Sequence, residues 1–128
     1  MVEIRGSHCW SLRFLLLRTL STAMYVIDVD SGKNIKTSAK DLAMVTDKEA
    51  LETIAKLMVL RNMSGIILVD LINVSSDENR KELIDFMRKL AENDPLKPVV
   101  KDITGLGIME LTRKKTGSSF FEEFIRQN

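Results

Sequence analysis

The chain has 128 residues, 45% of them apolar and 29% charged, a balance that belongs to a folded domain and excludes a disordered polyelectrolyte. Nineteen basic and 18 acidic side chains leave a formal charge of +1. No overall field therefore marks a nucleic-acid or membrane protein, and an anionic partner must be held by a local site. The lone cysteine, Cys9, excludes an internal disulfide and cannot by itself build a structural zinc site.

Residues 1–22 carry the weakest pattern. Phe14-Leu15-Leu16-Leu17 is apolar, but Arg13 and Arg18 interrupt it, far short of the roughly 20 apolar residues of a membrane span. It is also too short for a signal peptide, and no small-residue cleavage site follows. The segment reads as an N-terminal arm, or as an edge strand leading into the next strand. His8 and Cys9 lack a third ligand nearby and read as incidental.

From residue 23 the punctuation is clearer, and residues 23–128 read as one subdomain. Met24 to Val29 is an apolar, β-branched strand, closed by the turn residues Asp30-Ser31-Gly32. The capping-box spacing Thr46-x-x-Glu49 predicts a helix from about Thr46 to Asn62, with Leu51, Ile54, Leu57 and Met58 at helical intervals and Gly65 as the stop. Ile66-Ile67-Leu68-Val69 is a buried strand ending in Asp70. A second capping box, Ser75-x-x-Glu78, opens a helix whose stripe is Leu83, Phe86, Met87 and Leu90, with Pro95 beyond its end. Pro98 to Ile103 and Ile108 to Thr112 are two further strands about the turn residues Gly105 and Gly107. The basic run Arg113-Lys114-Lys115 follows, then a tail helix near Ser119 to Arg126 with Phe120, Phe121, Phe124 and Ile125 along one side. The order predicts an α/β fold: a mixed sheet with a parallel strand–helix–strand core flanked by helices.

Two of these strands end in aspartate. If they pair in parallel, Asp28 and Asp70 emerge at the carboxyl edge of the sheet, where α/β folds place their ligands, about one strand spacing of roughly 4.8 Å apart. Carboxylates that close repel unless a proton or cation intervenes. A hard divalent ion, Mg²⁺ above all, suits such a pair, because it binds through one or two carboxylates plus substrate phosphates. The plainer reading is that each aspartate opens a turn or caps a helix. Asp30 joins Asp28 on one strand face if the strand runs that far; otherwise it belongs to the turn. Glu49 is accounted for as the partner of Thr46, and Glu110 as a salt-bridge residue on a strand.

At these residues the sequence resembles the ribonuclease E/G family of endoribonucleases over residues 23–115. Three blocks carry the likeness: AMYVIDVDSGKN at 23–34, EALETIAKLMVLRNMSGIILVDLINV at 49–74 and VVKDITGLGIMELTRKK at 99–115. The resemblance implies a deoxyribonuclease I-like catalytic subdomain, a Mg²⁺ ion held by Asp28 and Asp70, and hydrolysis of single-stranded RNA in RNA processing or decay, leaving a 5′-phosphate downstream. It implies a cytoplasmic setting and no membrane, and leaves open the homo-oligomer formed by full-length relatives. Asp30 stands where the family has an asparagine that supports the metal-binding carboxylates. An ionised carboxylate accepts hydrogen bonds but does not donate them, so its support must differ. Leu57, Val59 and Gly105 also replace polar or basic family residues. Arg113, Lys114 and Lys115 are candidate contacts to RNA phosphates, against the plainer reading of a solvated cluster. The S1-type RNA-binding and 5′-end-sensing portions that precede this region in the family, and the zinc-binding cysteine pair that follows it, do not occur in these residues. The alternative function is therefore an inactive fragment that keeps the fold and weak metal or RNA binding, with no structural zinc of its own. Asp28-Val29-Asp30 also resembles the nucleophile loop of haloacid-dehalogenase-like phosphotransferases, but Ser31-Gly32 replaces the usual Gly-Thr, and that reading leaves the later two blocks unexplained.

Overall fold

The computed structural model describes residues 2–5, 11–18, 23–30, 39–74 and 76–114. Six strands form one sheet: β1 (Val2–Arg5), β2 (Ser11–Arg18), β3 (Ala23–Asp30), β4 (Gly65–Asp70), β5 (Val99–Ile103) and β6 (Ile108–Arg113). Their spatial order is β1-β2-β3-β4-β6-β5. The β3–β4 pair is parallel and every other pair antiparallel. Two helices complete the described chain, α1 (Ala39–Leu60) and α2 (Asp77–Ala91). This is the expected mixed sheet with a parallel strand–helix–strand core.

The period-two alternation of the strands divides the sheet into two unlike faces. Leu12 and Phe14 of β2, Ile27 and Val29 of β3, Ile67 and Val69 of β4, and Met109 and Leu111 of β6 are buried together. They share one core with Leu51, Ile54 and Met58 of α1 and with Leu83 and Met87 of α2. Both helices thus cover the same face. Asp28, Asp30 and Asp70 occupy the alternate positions and stand on the opposite face.

The segment expected as an arm or edge strand supplies β1 and β2, and β2 lies inside the sheet between β1 and β3. The first helix starts earlier than its capping signal indicated, at Ala39 rather than near Thr46. The buried stripe of Ala50, Leu51, Ile54 and Met58 continues back to Asp47, Thr46 and Ala43. Packing along that stripe outweighs a capping preference worth about 1 kcal/mol, so Thr46 and Glu49 sit inside the helix.

The chain leaves the helix at Asn62, not at Gly65. Asn62 takes a left-handed φ of 45°, and the Met63 amide donates back to the Met58 carbonyl at 3.0 Å, a Schellman-type stop. Gly65 serves the sheet instead. At φ 93° it lets β4 pass so close to β3 that an added Cβ would lie 2.3 Å from the Ala23 carbonyl oxygen. The second helix is capped by Ser76, one residue beyond the expected Ser75, with its hydroxyl accepting the Asn79 amide at 3.1 Å. The tail helix expected near Ser119 to Arg126 lies outside the described residues. Among those described, no helix is long and apolar enough to cross a membrane.

Candidate metal centre

The parallel pairing of β3 and β4 sets Met24 opposite Ile66 and carries that register without a break to Asp28 opposite Asp70. Residues paired across a parallel ladder point to the same face, about 4.8 Å apart along the hydrogen-bonding direction. The two carboxylates therefore stand side by side at the carboxyl edge, on the face opposite the one that α1 and α2 cover. Their proximity has an electrostatic signature. The Asp70 carboxyl is raised above the ordinary carboxylate range by loss of solvent at the strand end and by the negative charge of Asp28.

Neighbouring backbone fixes the end of β4. The Leu71 amide, next to Asp70, donates to the Gly107 carbonyl at 3.1 Å, which ties the site to the β5–β6 turn. The Ile72 amide donates to Asp47 Oδ1 at 2.9 Å, which ties it to α1. Asp47 is fully buried, and its Oδ2 has no hydrogen-bond partner among the described residues. Burial lifts its pKa to about 7; the Ile72 amide opposes the shift and the charge on Asp70 adds to it. Sequence reasoning missed Asp47. The available signal was a carboxylate at a stripe position, between Ala43 and Ala50, where an apolar residue is expected.

Asp30 ends β3 two residues beyond Asp28 and on the same face. Its Oδ2 lies 3.5 Å from Nη2 of Arg13 on β2. Among the described residues no three His, Cys, Asp or Glu side chains are grouped to hold a metal ion. What the described residues offer is a pair of carboxylates, the donor type a hard divalent ion takes.

Arg113 requires a correction. Expected as a contact to RNA phosphates, it is buried. Its Nε and Nη2 donate to Asp94 Oδ2 and Oδ1 at 2.8 and 3.1 Å, and its Nη1 donates to Asn62 Oδ1 and the Met63 carbonyl, both at 3.0 Å. The guanidinium is committed to the fold, locking the end of β6 to the end of α1 and to the loop after α2. Burial raises the Asp94 carboxyl, but the bonds from Arg113 and the Leu96 amide, with the charge of Arg113, outweigh it and hold Asp94 below the usual range. Lys114 is exposed at the end of β6, and Lys115 lies outside the described residues.

These features define a class: an α/β domain with a carboxylate pair at the carboxyl edge of a parallel strand pair. Residues 18–116 match the Ribonuclease E/G family, and the chain belongs to that family. It is 34% identical over 103 residues to Ribonuclease E of Synechocystis, covering 80% of this chain and 15% of that protein. It is 34% identical over 110 residues to a Ribonuclease E/G-like protein of Pyropia yezoensis, covering 85% and 21%. Ribonuclease G of Escherichia coli K12 is 31% identical over 98 residues, 76% of this chain and 20% of its own. The chain thus spans about a fifth or less of the length of these relatives.

Proposed function

We propose that the chain is the catalytic subdomain of a metal-dependent endoribonuclease that hydrolyses single-stranded RNA, with Asp28 and Asp70 holding Mg²⁺. The observation that carries this reading is the unbroken β3–β4 register that sets the two carboxylates side by side. The donor set fits the ion: two carboxylates of like charge, Asp70 raised by burial and then by the charge of Asp28, are relieved when a divalent cation joins them. When bound, Mg²⁺ lowers the pKa of a water and offsets charge on the phosphodiester.

The chain's own residues do the rest. Asp28 and Asp70 are carried on paired strands, so their spacing is set by the backbone ladder rather than by mobile loops. Asp47 holds the backbone just past Asp70, and the Leu71 amide bond to Gly107 holds it from the other side. Asp30 supports the pair from the end of β3, with its charge partly offset by Arg13. Lys114 and Lys115 are the residues of the basic run left as candidate RNA contacts, and the β4–β6 register sets Lys114 beyond Gly65, at the other end of β4 from Asp70. The same reading sets the reaction in RNA processing or decay in the cytoplasm.

The test is incubation of the chain with a fluorescent single-stranded RNA and Mg²⁺. The expected result is cleavage to products with a 5′-phosphate, lost in Asp70→Asn and Asp28→Asn. One specific fact favours a second reading, an inactive fragment: the chain spans about a fifth or less of its relatives, so much of the binding energy that orients substrate lies outside it. No cleavage at high protein concentration, with the fold intact, selects that second reading.

A further inference from the structure

The row of paired residues that carries Asp28 and Asp70 runs on across the sheet. Arg13 of β2 is paired opposite Asp28, and Glu3 of β1 opposite Arg13. At the other end, Ile108 of β6 is paired opposite Asp70. The line Glu3, Arg13, Asp28, Asp70, Ile108 therefore crosses five strands on the face opposite α1 and α2, with one cation in it.

Four acidic groups, Glu3, Asp28, Asp30 and Asp70, stand on or beside this line, and together they repel a polyanion. A divalent ion on Asp28 and Asp70 offsets the charge of that pair. Arg13 meets part of the charge of Asp30, its Nη2 lying 3.5 Å from Asp30 Oδ2. That ion pair is long, and the two side chains are 50% and 43% accessible, so solvent screens it and it holds the arginine only loosely. A guanidinium carries five N–H donors in a planar fork suited to phosphate oxygens, and one contact to Asp30 engages one end of it.

We infer that Arg13 is the substrate-facing cation of the site: its guanidinium holds a backbone phosphate of the RNA strand beside the Asp28–Asp70 pair. The inference rests on the reading of that pair as an RNA-hydrolysing metal centre. Arg13 precedes the residues that match the family, 18–116, so the group is supplied by this chain's own β2. It also takes the phosphate-binding role that the buried Arg113 does not fill.

The test separates binding from cleavage. Fluorescence anisotropy of a labelled single-stranded RNA is measured without divalent metal, over a series of salt concentrations, for the unaltered chain, Arg13→Gln and Arg13→Lys. Loss of one phosphate contact is expected to weaken binding by about tenfold and to reduce the slope of log K against log[salt] by about 0.7. Arg13→Lys, which keeps the charge but not the fork, is expected to restore the salt slope and only part of the affinity. The side chain is exposed, so far-UV circular dichroism and the melting temperature of Arg13→Gln should match the unaltered chain. Unchanged affinity and salt slope in Arg13→Gln overturn the inference, as does an unaltered chain with no salt-dependent RNA binding. Asp70→Asn distinguishes the two layers. If it loses cleavage while Arg13 has no effect on binding, only the role of Arg13 fails. If it still cleaves RNA, the reading of the metal pair fails.

Discussion

Asp47 of α1 accepts the amide of Ile72 at 2.9 Å, and so the crossover helix holds the backbone two residues past Asp70. The same carboxylate is fully buried with Oδ2 unpartnered among the described residues, and its pKa stands at about 7 against an ordinary 3.8. Between those values the unfolded chain has lost the proton and the folded chain still keeps it. Stability therefore falls as pH rises from about 4 to about 7, by a few kcal/mol in the limit of a shift this large. Asp47→Asn keeps an acceptor for Ile72 and removes the ionisation. Thermal melts of metal-free protein are expected to show the variant more stable than the unaltered chain at pH 8, with the gap closing by pH 4. A gap that does not change with pH would show that Asp47 ionises as an ordinary carboxylate.

The Arg113–Asp94 pair makes a prediction about stability rather than about RNA. Both side chains are 3% accessible, and removing one partner leaves a buried charge without its counterion. Arg113→Ala is expected to cost about 3–5 kcal/mol in urea unfolding, and it also loses the bonds to Asn62 and the Met63 carbonyl. A loss below about 1 kcal/mol would mean that the guanidinium is held less firmly than the geometry shows.

Gly65 lets the start of β4 lie close against β3, at the other end of the strand pair from the aspartates. A Cβ there would lie 2.3 Å from the Ala23 carbonyl oxygen, at a φ of 93° that side chains resist. Gly65→Ala is expected to destabilise by about 3 kcal/mol or more. Hydrogen exchange of the β3 and β4 amides would locate the damage: faster exchange confined to this pair is the expected pattern, and unaltered exchange there would contradict it.

The strands and the aspartate pair were legible because each strand is an apolar run closed by an acid; that β4 is buried at alternate residues, and not on both faces as its continuous run suggested, came only with the fold. Ile27 and Val29 alternate with Asp28 and Asp30, and Ile67 and Val69 alternate with Leu68 and Asp70, so a parallel pairing in this register brings the two acids together. Helix boundaries were less legible because capping is a local preference. Thr46-x-x-Glu49 has the spacing of a cap, yet the apolar stripe runs through it, and Ser76 rather than Ser75 caps α2. Arg113 read as part of a basic run because its partners Asp94 and Asn62 are distant in sequence and meet it only in the fold. Asp47 was hidden for the same reason: its single described hydrogen bond reaches across to Ile72. Arg13 became visible only when β2 was seen to pair with β3, which places it opposite Asp28.

The central claim, that Asp28 and Asp70 grip one divalent ion, is tested most directly by calorimetric titration of the metal-free chain with Mg²⁺ at neutral pH. The account predicts one site in the unaltered chain, lost in Asp28→Asn and in Asp70→Asn alike, with both variants still folded. Mg²⁺ binding that is unchanged in both variants would contradict it.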